Sequence, residues 1–125
     1  MSAVEPAPEF DIQAEFEQSI DLKAMQTFLK AMGILGGPRE LFDHQRLTWL
    51  PSLIESIYAV ILDEETDISH TEIANELGIS EPTVSNILNA DAEAVRTQIQ
   101  EGKAGTQVQH VAGGLAKLAY REIET

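Results

Sequence analysis

Residues 69–91 read SHTEIANELGISEPTVSNILNAD, and the reading of this run decides the fold. Ser69 and Glu72, three residues apart, form an S-x-x-E capping box. The serine hydroxyl takes an orphan backbone N–H and the glutamate returns to the N-cap N–H, so a helix starts at about His70. Ile73, Ala74 and Leu77 turn its apolar side inward, and Gly78 follows where the chain needs a residue free to take positive φ. Ile79 then plugs the core across the turn. Ser80 caps the next helix, and Glu81 sits in its first turn where negative charge suits the dipole. Pro82 is tolerated there because its missing N–H would be unpaired anyway. Val84, Ile87 and Leu88 form the inward face of this second helix. The spacing predicts two short helices, at about 70–77 and 81–89, that cross closely at the small residue Ala74.

Within a window of about twenty residues starting at His70, the segment resembles the helix-turn-helix motif of bacterial and archaeal regulators. Gly78 is the turn glycine, Ala74 the small residue at the crossing, and Ile73, Leu77, Ile79, Val84 and Ile87 the apolar positions. A preceding apolar face on Leu47, Leu50, Leu53, Ile54, Ile57, Tyr58 and Ile61 supplies the third helix of the core, with Pro51 in its first turn. The acidic run Asp63 to Asp67 reads as the turn that closes it. Trp49, near its start, reads as a packing residue. The resemblance spans residues 44–95. It implies double-stranded DNA as partner and a base-reading surface made of Ser80, Glu81, Pro82, Thr83, Ser85, Asn86 and Asn89. The side-chain chemistry suits part of that role: asparagine can pair with adenine through two hydrogen bonds, Ser and Thr reach either base type, and Glu can accept from cytosine. The competing reading is that these Ser, Thr and Asn residues are simply the solvated side of a surface helix.

Charge opposes the DNA reading. Against 21 Asp and Glu the chain has 8 Lys and Arg, a formal net charge of −13, and such a field repels nucleic acid and anionic membranes. Between Arg46 and Arg96 there is no Lys or Arg, while the stretch holds ten acids. Phosphate contacts would have to come from helix N-termini, from His70, Thr71 and Ser80, or from Arg46 and Arg96 on the flanks. Two explanations are open: DNA binding adapted to molar salt, where repulsion is screened within about 3 Å, or a motif turned into a protein-binding surface.

Working outward, residues 1–9, with Pro6 and Pro8, read as a flexible lead-in. Residues 10–37 read as an N-terminal helical arm. Its faces are Phe10, Ile12, Phe16 and Ile20, then Leu22, Met25, Leu29 and Met32, and one kinked helix or two short ones fit equally. Gly33, Gly36, Gly37 and Pro38 stop it. Residues 38–105 are assigned to the helix-turn-helix domain and 106–125 to a C-terminal helix with Val108, Val111, Leu115 and Leu118 on one stripe. Asp91 can cap a helix through AEAVRTQIQ. The alternative is a β-hairpin around EGKAG, with strands at Thr97 to Ile99 and Gln107 to Val111 and Lys103 at the tip, which would make a winged helix-turn-helix. Gly113 and Gly114 read as a close helix crossing or a kink. The expected fold is therefore all-α, a three-helix core with outer helices at 10–35 and 106–124.

The run HVAGGLAKLAYREIE (110–124) and the helix LTWLPSLIESIYAVILDEE (47–65) resemble a small archaeal family of regulators encoded beside RecA-like ATPases of the KaiC type. That resemblance implies transcription control or signal transduction with a KaiC-like ATPase as partner, and no catalytic residues, cofactor or metal. An archaeal source that accumulates salt would account for the acidity. An enzyme reading has little to stand on. His44, His70 and His110 lack metal-ligand spacing, no G-x-S-x-G elbow exists, and Arg39, Asp43, His44 and Arg46 read as surface ion pairs. With no cysteine there is no disulfide or thiolate metal site. With no apolar run near 20 residues and no hydrophobic leader, the expected location is cytoplasmic. A homodimer is expected, with a seam of Phe16, Leu22, Met25 and Leu29, or of Leu115 and Leu118, because the amphipathic ends carry more apolar surface than a small core requires.

Overall fold

In the computed structural model residues 12–40, 50–101 and 108–124 are described, with side chains left aside at 12–14, 17 and 108–110. The lead-in, Phe10, Asp43, His44, Arg46, Leu47, Trp49, Lys103 and the side chain of His110 lie outside this set. The described residues form six helices and no strand: α1 (Ile12–Leu35), α2 (Leu50–Glu65), α3 (His70–Leu77), α4 (Glu81–Leu88), α5 (Ala92–Gln100) and α6 (Val108–Glu124). The all-α expectation is met. The winged alternative is not: Thr97 and Ile99 lie inside α5, and Val108 to Val111 inside α6. Asp91 decides the first of these locally, since its carboxylate accepts from the Ala94 N–H at 3.0 Å as an N-cap.

The first helix is continuous across Ser19 to Asp21. Its buried side is Ile20, Ala24, Thr27, Ala31, Met32 and Leu35, spaced at about one helical turn, and Thr27 satisfies its own hydroxyl on the Lys23 carbonyl at 2.7 Å. Phe16, Leu22, Met25 and Leu29 are exposed. The chain leaves the helix where the Gly37 N–H donates to the Met32 carbonyl at 2.8 Å. Pro51 sits in the first turn of α2, and Leu53, Ile57, Ala59, Val60 and Ile61 are buried.

That second helix runs further than expected. Asp63, Glu64 and Glu65 form its last turn rather than a loop. Acids are unfavourable at a helix C-terminus, and neighbouring elements offset them here. The Tyr120 hydroxyl donates to Glu65, His70 Nε2 lies 3.6 Å from Asp63, and Lys23 Nζ contributes positive charge nearby while bonded to Glu124 at 2.6 Å. Burial, reinforced by Glu65, pushes the Tyr120 hydroxyl well above the ordinary tyrosine range, so it stays protonated and a donor.

The largest departure from expectation is α6. It is not an outer helix: Val111 to Ala116 and Leu118 to Tyr120 are all buried, and α1, α2, α4 and α5 all pack on it. Ala112, Gly113, Gly114, Ala116 and Ala119 make this possible, because small residues on the sides flanking the Val111, Leu115 and Leu118 stripe let neighbouring backbones approach. Leu115 and Leu118 are accordingly core residues, which excludes them as a dimer seam. Residues of α1 to α6 join in one contiguous apolar cluster.

Ala74 is buried on the inner side of α3, the helix that packs on both α2 and α4. Ala74→Leu should overpack this contact and cost about 1 to 3 kcal/mol in urea unfolding. An unchanged midpoint would place the crossing elsewhere.

Candidate nucleic-acid interface

The second and third helices position a short fourth one, and the local chemistry of each junction is visible. At Ser69 both arms of the capping box are made: the Glu72 N–H donates to Ser69 Oγ at 3.2 Å and the Ser69 N–H donates to the Glu72 carboxylate at 3.4 Å. Gly78 adopts φ 68° and ψ 33°, the left-handed conformation that a Cβ would strain, and its N–H returns to the Ala74 carbonyl. Ile79 also donates to Ala74 O, at 3.0 Å, which turns its half-buried side chain onto the core. Ser80 is the N-cap of α4, accepting from the Thr83 N–H at 3.2 Å, with Pro82 in the first turn.

The residues of the expected base-reading surface divide into two sets. Pro82, Asn86 and Asn89 are exposed, Ser85 is half-buried, and the Ser85, Asn86 and Asn89 side chains have no hydrogen bond among the described residues. Their amides and hydroxyl are therefore available to an incoming acceptor or donor. Ser80, Glu81 and Thr83 are already engaged. Ser80 Oγ and Thr83 Oγ1 share a hydrogen bond of 2.8 Å, and Thr83 lines, with Ser52, Glu55, Ser56 and Ile87, a small cavity of about 20 Å³ toward α2. Thr71 Oγ1 donates to Glu81 Oε1 at 2.7 Å, a bond across the turn that ties a phosphate candidate to a base-reading candidate. Of the remaining phosphate candidates, His70 faces Asp63 at 3.6 Å, Arg96 Nε lies 3.5 Å from Glu93, and Arg46 is outside the described residues.

Two features lie behind the surface: a lysine contact that sequence reasoning misses, and the close helix crossing expected at Gly113 and Gly114. The C-terminal end of α4 is closed from another helix: Lys117 Nζ donates to the Leu88 carbonyl at 2.7 Å and to the Ala90 carbonyl at 2.9 Å. An ammonium group at a helix C-terminus satisfies orphan carbonyls and complements the dipole. Gly113 and Gly114 allow α6 to come close enough for this. A Cβ on Gly113 would lie 2.9 Å from the Ile87 carbonyl oxygen, and one on Gly114 would lie 2.3 Å from Val95 Cγ2. The sequence signal was a glycine pair followed one helical turn later by a lysine on the same face.

The surface of α3 and α4 carries no exposed large apolar side chain; among the described residues those lie on α1 and at Ile54. No described helix is long and apolar enough to cross a membrane. No protein-family model, curated protein or solved structure matches the chain.

Proposed function

We propose that the chain is a DNA-binding transcriptional regulator that acts in the cytoplasm without cofactor, metal or catalysis, with α3 and α4 serving as a helix-turn-helix and α4 as its reading helix. The observation that carries this reading is the outer face of α4. It offers the unengaged side chains of Ser85, Asn86 and Asn89, chemistry that fits base edges in the major groove, and no apolar anchor of the kind that dominates protein interfaces. Ser80, Thr83, Glu81 and Thr71 then act mainly by fixing the turn, with Pro82 at the edge. The cation-poor surface and an archaeal, salt-accumulating source are mutually consistent.

A second reading keeps a specific observation on its side. His70 and Arg96 each face an acid and Thr71 is bonded to one, so the expected grip on phosphate is already occupied within the chain. On that reading the protein is a signalling adaptor for a KaiC-type ATPase and does not contact DNA. Fluorescence anisotropy against pooled genomic fragments over a wide range of KCl separates the two. A reader with so few cations should show selective binding whose salt slope corresponds to about two or three phosphate contacts, and Asn86→Ala should relax base preference at a cost of about 1 to 3 kcal/mol. Absence of any selected fragment across the salt series would favour the adaptor.

A further inference from the structure

On the side of α1 turned away from α6, the chain has an apolar face that its own described residues leave open. Leu22, Met25 and Leu29, at intervals of three and four, are 57%, 64% and 69% exposed, and Ile54 of α2 is 45% exposed beside them. Met25, Leu29 and Ile54 line, with Ala24, Phe28, Ile57 and Tyr58, a groove of about 290 Å³ between α1 and α2, and Leu22 lies one turn before Met25 on α1. Monomeric proteins rarely leave such a contiguous patch bare.

Charge narrows the occupant. From Leu22 to Arg39 the chain has no Asp or Glu and three cations, Lys23, Lys30 and Arg39, and Leu50 to Ile54 is also free of acids. The net charge of the chain is −13. Acid reaches the border of this face at Asp21, which accepts from the groove-wall Tyr58 hydroxyl at 2.8 Å, and Lys23 is held by Glu124, so two copies meeting here bury fewer like charges than they would on the acid-rich surfaces of α2 to α5. The surface also carries both elements that an isologous contact requires, projecting side chains in Leu22 and Leu29 and a socket beside them, so one copy can present the knob that the other receives.

We infer that this face is a homodimer interface, in which α1 and the adjoining edge of α2 pair with the same surface of a second copy. The contact is of the reversible kind. With roughly 100 Å² of exposed surface on each of the four side chains and a further contribution from the groove walls, each copy buries about 500 Å², at the lower limit for a specific interface. Phe16, also exposed, lines a separate depression with Ile20, Leu62 and Leu77 and is not part of this face. The inference is independent of DNA binding.

Sedimentation equilibrium of the full chain in molar KCl, without DNA, should show a monomer that converts to twice the single-chain mass over the micromolar range. Leu29→Glu and Met25→Glu should each weaken the dimer at least tenfold while leaving the helical circular dichroism intact, because both side chains are mostly exposed. Gln100→Glu, with the same charge change on α5, should leave it unaltered. The chain has no cysteine, so Met25→Cys introduces a sole thiol at the centre of the stripe. A short bismaleimide should then cross-link two copies, and Thr97→Cys should not cross-link. A monomer at every concentration would overturn the inference, as would a dimer indifferent to Leu29→Glu and Met25→Glu. Either result leaves the DNA reading untouched.

Discussion

Gly113→Ala and Gly114→Ala combined should destabilise the protein by about 3 kcal/mol, although helix propensity alone argues for a gain of about 1 kcal/mol at each site. Space decides the sign. At Gly113 a Cβ would meet the Ile87 carbonyl oxygen at 2.9 Å and Ile87 Cα at 3.1 Å, atoms of the α4 backbone that cannot rotate aside. At Gly114 it would meet Val95 Cγ2 at 2.3 Å and the Asp91 carbonyl at 3.1 Å. Val95 is β-branched and helical, with one strongly preferred χ1, so it too has little room to turn. Relief requires α4 and α5 to slide from α6. Gly33→Ala is the internal control: it lies in α1 with nothing within 4 Å of the added carbon. There the propensity gain should appear, about 0.5 to 1 kcal/mol of stabilisation. Urea unfolding of the single and double variants reads all of these. Stabilisation by Gly113→Ala would mean that the two helices are further apart than described.

Lys117→Met should cost about 2 to 3 kcal/mol. The substitution keeps the length and apolar body of the side chain and removes only the ammonium group, so the loss reports the two charge-assisted hydrogen bonds to Leu88 O and Ala90 O. The site is only partly buried, which holds the figure below that of a fully desolvated charge. Lys117→Arg should recover little, because a planar fork replaces a compact group converging on two carbonyls. The loss should be concentrated at the end of α4. Amide hydrogen exchange at Leu88 to Ala90 should therefore rise more than at Ile57 or Ile61 in α2. Uniform acceleration would indicate a global effect instead. If α4 reads DNA, affinity should also fall in this variant, although Lys117 lies behind the reading surface.

The parts of the fold legible in the sequence were those governed by short-range chemistry. Ser69 with Glu72, Gly78, Ser80 with Pro82, and Asp91 each bond within a few residues, so their motifs carry the geometry with them. The buried side of α1 was harder to read because it uses Ala24, Thr27 and Ala31, while the larger Leu22, Met25 and Leu29 face outward. A reading by hydrophobicity alone follows the large residues. The same bias concealed α6, whose burial on several faces rests on alanine and glycine rather than on a wide apolar stripe. At the candidate site, the identities of Asn86 and Asn89 and their place on an outer helix face could be foreseen. The Thr71 to Glu81 bond and the His70 to Asp63 pair could not, because they depend on how separate helices come together.

The position of α6 in chain order has a consequence for biosynthesis. The helix on which α1, α2, α4 and α5 converge is translated after all of them. At about 5 to 20 residues per second, the earlier helices wait seconds for the surface that completes their core, and their apolar faces stay open to non-native partners meanwhile. Folding thus closes from the C-terminal side, through contacts of long sequence separation that slow small helical proteins relative to bundles with neighbour-to-neighbour packing. A nascent chain released before α6 would carry both short helices, α3 and α4, with their capping residues, yet lack the scaffold that holds them together.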